Sequence, residues 1–184
     1  MQEISLGRMA WVLWLVLAIW AVQAINLVTG YALNPVLGLA PRDVTGLPGV
    51  ALMPMLHGSL DHAATNTPPV LVLGGLVAVT AGRLALTATV AVVLGGGVLV
   101  WILGRDAVHV GASGLIFGWL GFLLARGLVD RRLVPMVVAA GVALVYGAMV
   151  WGVLPSRPGV SWESHLAGFV AGICTAVLTR PRTA

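Results

Sequence analysis

Ser113 stands in the run His109-Val-Gly-Ala-Ser-Gly-Leu-Ile-Phe117-Gly118, at the mouth of an apolar stretch and with glycines on both sides. A hydroxyl held that way is a candidate nucleophile, provided that a neighbouring base takes its proton, and a neutral imidazole titrates in the right range to do so. His165, in Ser164-His165-Leu-Ala-Gly168-Phe-Val-Ala-Gly172, is the candidate base. It also lies near the start of an apolar stretch, where an ionisable group is costly and usually functional. Together the two residues predict serine hydrolysis by a dyad. Glu163 and Asp61 adjoin key histidines in sequence, but immediate neighbours and residues two apart point to different helix faces, so neither is recruited as a third member. Asp61 reads instead as a helix-start residue.

A third constellation is His57-Gly-Ser-Leu-Asp-His62-Ala-Ala-Thr-Asn66. His62 and Asn66 are one helical turn apart and offer an imidazole N–H and an amide N–H₂ on one face. That is the outline of an oxyanion hole, where each donor aimed at developing negative charge in a dry site is worth about 3–4 kcal/mol of barrier. The Ser113 backbone N–H, without an intrahelical acceptor at a helix N-terminus, is a further donor. A metal site is the competing reading of His57 and His62, but their spacing does not suit one helix face and no carboxylate or thiolate completes a shell. His57 reads as a hydrogen-bonding partner of the first long connection. His109 reads as a loop residue and hydrogen-bond partner.

The elements that must position these groups are membrane helices. Hydrophobic residues are 59% of 184 positions and charged ones 9%, against about 25% charged in soluble globules. Six stretches have the length and apolarity to span a hydrocarbon core: 9–28, 60–81, 84–103, 113–128, 133–154 and 162–179. Pro68 and Pro69 read as a first-turn irregularity or kink. The longest connection is 29–59, and no stretch is long enough for a second domain, so residues 1–184 read as a single transmembrane domain. The first span is too long in its apolar part for a cleaved signal peptide. The lone Cys174 excludes a disulfide within the chain and reads as a small buried hydrophobe. The seven Trp residues read as interfacial anchors. All ten basic residues are Arg, scattered without an aromatic-interleaved stripe, which argues against a nucleic-acid partner.

With six spans, one side of the membrane collects Arg8, Arg83, Arg126, Arg131, Arg132, Arg180 and Arg182, and the other Arg42, Arg105 and Arg157. The excess places both termini in the cytoplasm, and Ser113, His165 and the His57/His62/Asn66 cluster at outer helix ends. Taking Arg126 and Arg180 as inner-end markers, Ser113 and His165 lie about 20 and 22 Å up at 1.5 Å per residue, which matches. A water-filled depression is implied at that depth. Gly114, Gly118 and Gly121 on the fourth span and Gly168 and Gly172 on the sixth form small-residue faces that let backbones approach closely. Phe117, one turn after Ser113, is placed to pack beside the imidazole.

In these motifs the chain resembles the rhomboid intramembrane serine proteases of the minimal six-helix type. HxxxxHxxxN matches His57, His62 and Asn66; GxSG matches Gly111, Ala112, Ser113 and Gly114; HxxGxxxG matches His165, Gly168 and Gly172, all in the family's order. The resemblance implies an all-α six-transmembrane-helix bundle with Ser113 as nucleophile, His165 as base, and His62, Asn66 and the Ser113 amide as oxyanion site. It implies a supporting role for Phe117 as the aromatic ring against the catalytic histidine. It also implies no cofactor or metal, transmembrane protein substrates cut near their outer ends, and a plasma-membrane location. Lys-free, Ala/Gly/Val/Leu-rich usage points to a bacterium. The alternative is a catalytically silent relative that binds membrane helices through the same glycine faces.

Overall fold

The computed structural model describes residues 7, 9–155 and 159–180. Arg8, Arg157 and Arg182, counted in the charge asymmetry, lie outside the described residues. Within them the chain is an all-helical membrane fold: α1 (Ala10–Val28), the short α2 (Leu33–Leu37) and α3 (Gly49–Leu52), then α4 (Leu60–Ala81), α5 (Ala85–Leu103), α6 (Ser113–Val129), α7 (Leu133–Tyr146) and α8 (Trp162–Leu178). The long helices start within one residue of the expected spans. Ala10–Val28, Leu60–Leu103 and Leu133–Val153 are long and apolar enough to cross a membrane. The second of these is two helices, because Gly82 at φ +57° takes the chain out of α4. Helices α6 and α8 have 17 residues each and are about 25 Å long. That is less than a typical hydrocarbon core of about 30 Å, so the segments flanking them, or a thinned bilayer, must complete any crossing.

Helix α6 is the centre of the bundle. Thirteen of its 17 residues are buried, whereas α7 buries only Val142. What lets so many neighbours close on α6 is its glycines. A Cβ at Gly168 or Gly172 of α8 would overlap the carbonyl oxygen of Gly114 or Gly118 respectively, and one at Gly118 would overlap Val92 of α5. Backbones touch there, and dispersion between them substitutes for the hydrophobic drive that lipid does not provide.

Several expectations are corrected. Trp119 is no interfacial anchor: it is fully buried, donates from Nε1 to Thr89 Oγ1 at 3.1 Å and meets Trp11 edge-on at 6.0 Å. Cys174 faces outward from the bundle instead of being buried. Pro68 and Pro69 lie well inside α4, which continues past both, and not in its first turn. The 29–59 connection holds α2, α3 and two 3₁₀ turns. Arg126, taken above as an inner-end marker, is buried in an ion pair with Asp130 at 2.7 Å and donates to the Thr179 carbonyl at 3.2 Å. It ties the C-terminal ends of α6 and α8 together, so packing between the helices helps to fix its position.

Candidate active site

Ser113 is the first residue of α6 and His165 lies in the first turn of α8. The two are joined by a hydrogen bond of 2.9 Å between Ser113 Oγ and His165 Nε2. The other ring nitrogen, Nδ1, is 2.8 Å from the Gly152 carbonyl oxygen. A carbonyl can only accept, so Nδ1 carries the proton and Nε2 presents a bare lone pair to the serine hydroxyl. Phe117 stacks on the imidazole with centroids 4.1 Å apart and planes 3° from parallel. Ring rotation is blocked on that face.

Gly152 was not legible as part of the site, since its side chain is absent and it sat within an apolar span. It lies in the 3₁₀ segment Gly147–Val153 that follows α7, and the residue three further on, Pro155, has no N–H to give the Gly152 carbonyl a 3₁₀ bond. Glycine there also has a steric reason: a Cβ would come within 2.8 Å of Phe117 Cζ.

The connection before Ser113 is shaped by Gly111. Its φ of +124° lies in the region L side chains rarely adopt, and a Cβ would sit 2.8 Å from His62 Cε1 and 3.7 Å from Ser113 Oγ. His62 therefore lies against the backbone that delivers the nucleophile. Its helix begins with Ser59, whose Oγ accepts from the His62 N–H at 3.0 Å, while Asp61 sits in the first turn. Asn66, one turn further, has its Nδ2 buried without a hydrogen-bond partner among the described residues.

His57 bonds the first connection as expected, through its backbone, while its ring reaches further. It is fully buried, and Nε2 accepts from the Ala112 N–H at 3.3 Å, beside the nucleophile. Burial, with the adjacent His62 ring adding to it, pushes His57 down to about 4, so it stays neutral and keeps the lone pair that this bond needs. The His57–His62 rings meet edge-on at 5.0 Å. It is the backbone of His57 that holds the first connection: Asn26 and Asn34 donate to its carbonyl at 3.3 and 3.2 Å. These two asparagines carried no spacing signal, because their shared acceptor lies more than twenty residues away.

A cavity of about 690 Å³ opens over these groups. His62, Asn66, Ser113, Phe117 and His165 line it, with Arg105, His109, Val160 and Ser161 on another wall. Glu163 does not face His165 as a third member; it pairs with Arg105 at 3.4 Å.

This chain is similar to uncharacterized proteins of Mycobacterium bovis and Mycobacterium tuberculosis, at 38% identity over 176 residues that cover 91% of this chain and 73% of theirs. An uncharacterized protein of Mycobacterium leprae is 36% identical over 170 residues, 87% of this chain and 66% of that protein. The sequence model of the Rhomboid domain matches residues 45–182, taking in both Ser113 and His165, and the chain belongs to the rhomboid family.

Proposed function

We propose that this protein is a single-domain intramembrane serine endopeptidase that cuts transmembrane segments of other membrane proteins. The observation that carries the reading is the Ser113–His165 hydrogen bond with the base held in the productive tautomer by Gly152. Membership of a family whose members are typically serine intramembrane proteases supports it. In this reading His165 Nε2 takes the Ser113 proton as Oγ attacks the scissile carbonyl, and returns it to the leaving amine. Water from the cavity then repeats the sequence on the acyl-enzyme. His62, the otherwise unpaired Asn66 amide and the Ser113 N–H hold the oxyanion, and the dipole of α6 favours the same charge. The residues need no metal or cofactor for these steps. A substrate helix must unwind locally to expose a carbonyl to the serine, because a helical carbonyl is already bonded within its own chain.

The oxyanion assignment has its own test. Asn66→Ala lowers kcat by a factor of roughly 10–1,000 with little change in KM, since a donor used only in the transition state contributes nothing to ground-state binding. His62→Ala behaves similarly, and either variant retains some activity because the remaining donors partly cover. Steady-state kinetics in detergent on one single-span substrate decide the matter. Normal turnover with a lowered melting temperature makes both residues structural.

For topology, we place the protein in a bacterial plasma membrane with six crossings, both termini in the cytoplasm and the cavity on the outer side. Reporter fusions after Arg83, after Arg131 and at the C-terminus then read cytoplasmic, and an insertion near Pro41 reads external. An external C-terminus overturns the orientation.

A further inference from the structure

We propose that His109, acting through Ser161, is a positioning residue for the Ser113–His165 pair, an inference that rests on the protease reading above. His109 is a junction of the outer connections. Its backbone N–H and carbonyl pair with Leu39 at 2.8 and 3.0 Å, binding the α5–α6 connection to the first one. Its buried ring reaches the Arg105 carbonyl with Nε2 at 3.2 Å and Ser161 Oγ with Nδ1 at 2.5 Å. The carbonyl can only accept, so Nε2 holds the proton and Nδ1 accepts from the Ser161 hydroxyl. Burial pushes the ring below its ordinary value and keeps it neutral for that role.

Ser161 then accepts from Ser164 at 2.6 Å. Ser161 is the N-cap of α8, where serine ordinarily accepts from a first-turn amide, yet its side chain makes no capping bond. The hydroxyl is turned to His109 and Ser164 instead. Ser164 in turn packs on the residue after the nucleophile: a Cβ at Gly114 would lie 3.2 Å from the Ser164 carbonyl oxygen. The chain His109–Ser161–Ser164 thus runs from four residues before Ser113 to one residue before His165. Beside it, Arg105 donates to the Val160 carbonyl at 2.8 Å and pairs with the buried Glu163. The glycine contacts fix α6 against α8 from below; this clasp fixes them from above.

The test uses the full chain in detergent and two readouts, the rate at which a fluorophosphonate labels Ser113 and the kcat and KM for a single-span substrate. His109→Ala, His109→Gln and Ser161→Ala each slow both labelling and kcat by about tenfold or more, the effect of a sub-ångström misplacement of reacting groups, with KM changed less than about twofold. His109→Asn, whose amide oxygen replaces the Nδ1 acceptor, keeps most of the activity. The double variant His109→Ala/Ser161→Ala is no slower than either single, because one link is cut in each. Wild-type labelling rates in His109→Ala and Ser161→Ala, a defect confined to KM, or a His109→Asn as slow as His109→Ala overturns the proposal. Should His109→Ala fail to fold, Ser161→Ala, which removes a single oxygen, carries the comparison. Absence of labelling at Ser113 in the wild type overturns the protease reading itself, before any variant is compared.

Discussion

Ser113→Ala and His165→Ala each abolish cleavage of a single-span substrate, a loss on the order of 10⁴-fold or more, while the protein inserts and melts as the wild type does. The expectation follows from how the pair is built. Nε2 is a base only because Gly152 holds the proton on Nδ1, and Oγ is a nucleophile only because Nε2 faces it. Neither residue does anything alone, so the double variant is no worse than either single. Fragment masses identify the cut, a fluorophosphonate labels Ser113 in the wild type but not in His165→Ala, and chelators have no effect. Substantial turnover by Ser113→Ala removes the nucleophile from that position. Unimpaired helix binding without any cleavage by the wild type favours the silent-binder alternative. Loss of activity with chelator, restored by zinc, revives a metal.

Gly168→Ala is expected to damage both fold and catalysis. The added methyl meets only main chain, at Gly114 in the first turn of α6, and hydrogen-bonded main chain gives way only if the helix end moves. Overpacking of this kind costs about 1–3 kcal/mol, and here α6 and α8 must separate beside the Ser113–His165 contact. A misplacement of about 1 Å there lowers kcat by about 10²-fold. Gly172→Ala, against the Gly118 carbonyl one turn deeper, behaves alike in stability and less severely in rate. Gly141→Ala on α7 is the control, since a Cβ there meets nothing within 4 Å, and it leaves both quantities unchanged. Thermal unfolding in detergent, with cleavage rates on the folded fraction, checks all three. A Gly168→Ala as stable and as fast as the wild type shows that the interhelical distance is not set there.

The helices were legible because length and apolarity report the bilayer directly, and Ser113, His165, His62 and Asn66 because their spacing puts unlike polar groups at corresponding helix ends. What hydrophobicity does not encode is which side of a helix faces protein and which faces lipid, since both are apolar. Trp119 and Cys174 were misread for that reason: each lies in an apolar run, yet one is central and the other points outward. The better signal was size. Helix α6 carries Gly114, Gly118, Gly121 and Gly127 and is wrapped on most sides; α7 carries Gly141 alone and is nearly bare. The pairing of Arg126 was not legible because a charge at a helix end has two stable solutions, the membrane surface or a buried partner, and Asp130 one turn on supplies the second. His109 reads in sequence as a loop residue and hydrogen-bond partner, but with which group is hidden because Ser161 is 52 positions away.

The contact between His165 and Gly152 has a consequence for heredity. The group that orients the base is a peptide carbonyl, which all twenty amino acids carry, so no codon change at 152 deletes it. Substitutions there act only through bulk, by crowding Phe117, and a map of mutational sensitivity records a small-residue requirement where the molecule has a proton acceptor. Descent can therefore exchange the residue at 152 within that limit of size, provided that the turn of the main chain there survives. Comparing residue identities across descendants leaves this acceptor unseen, since what is inherited at 152 is the position of a carbonyl.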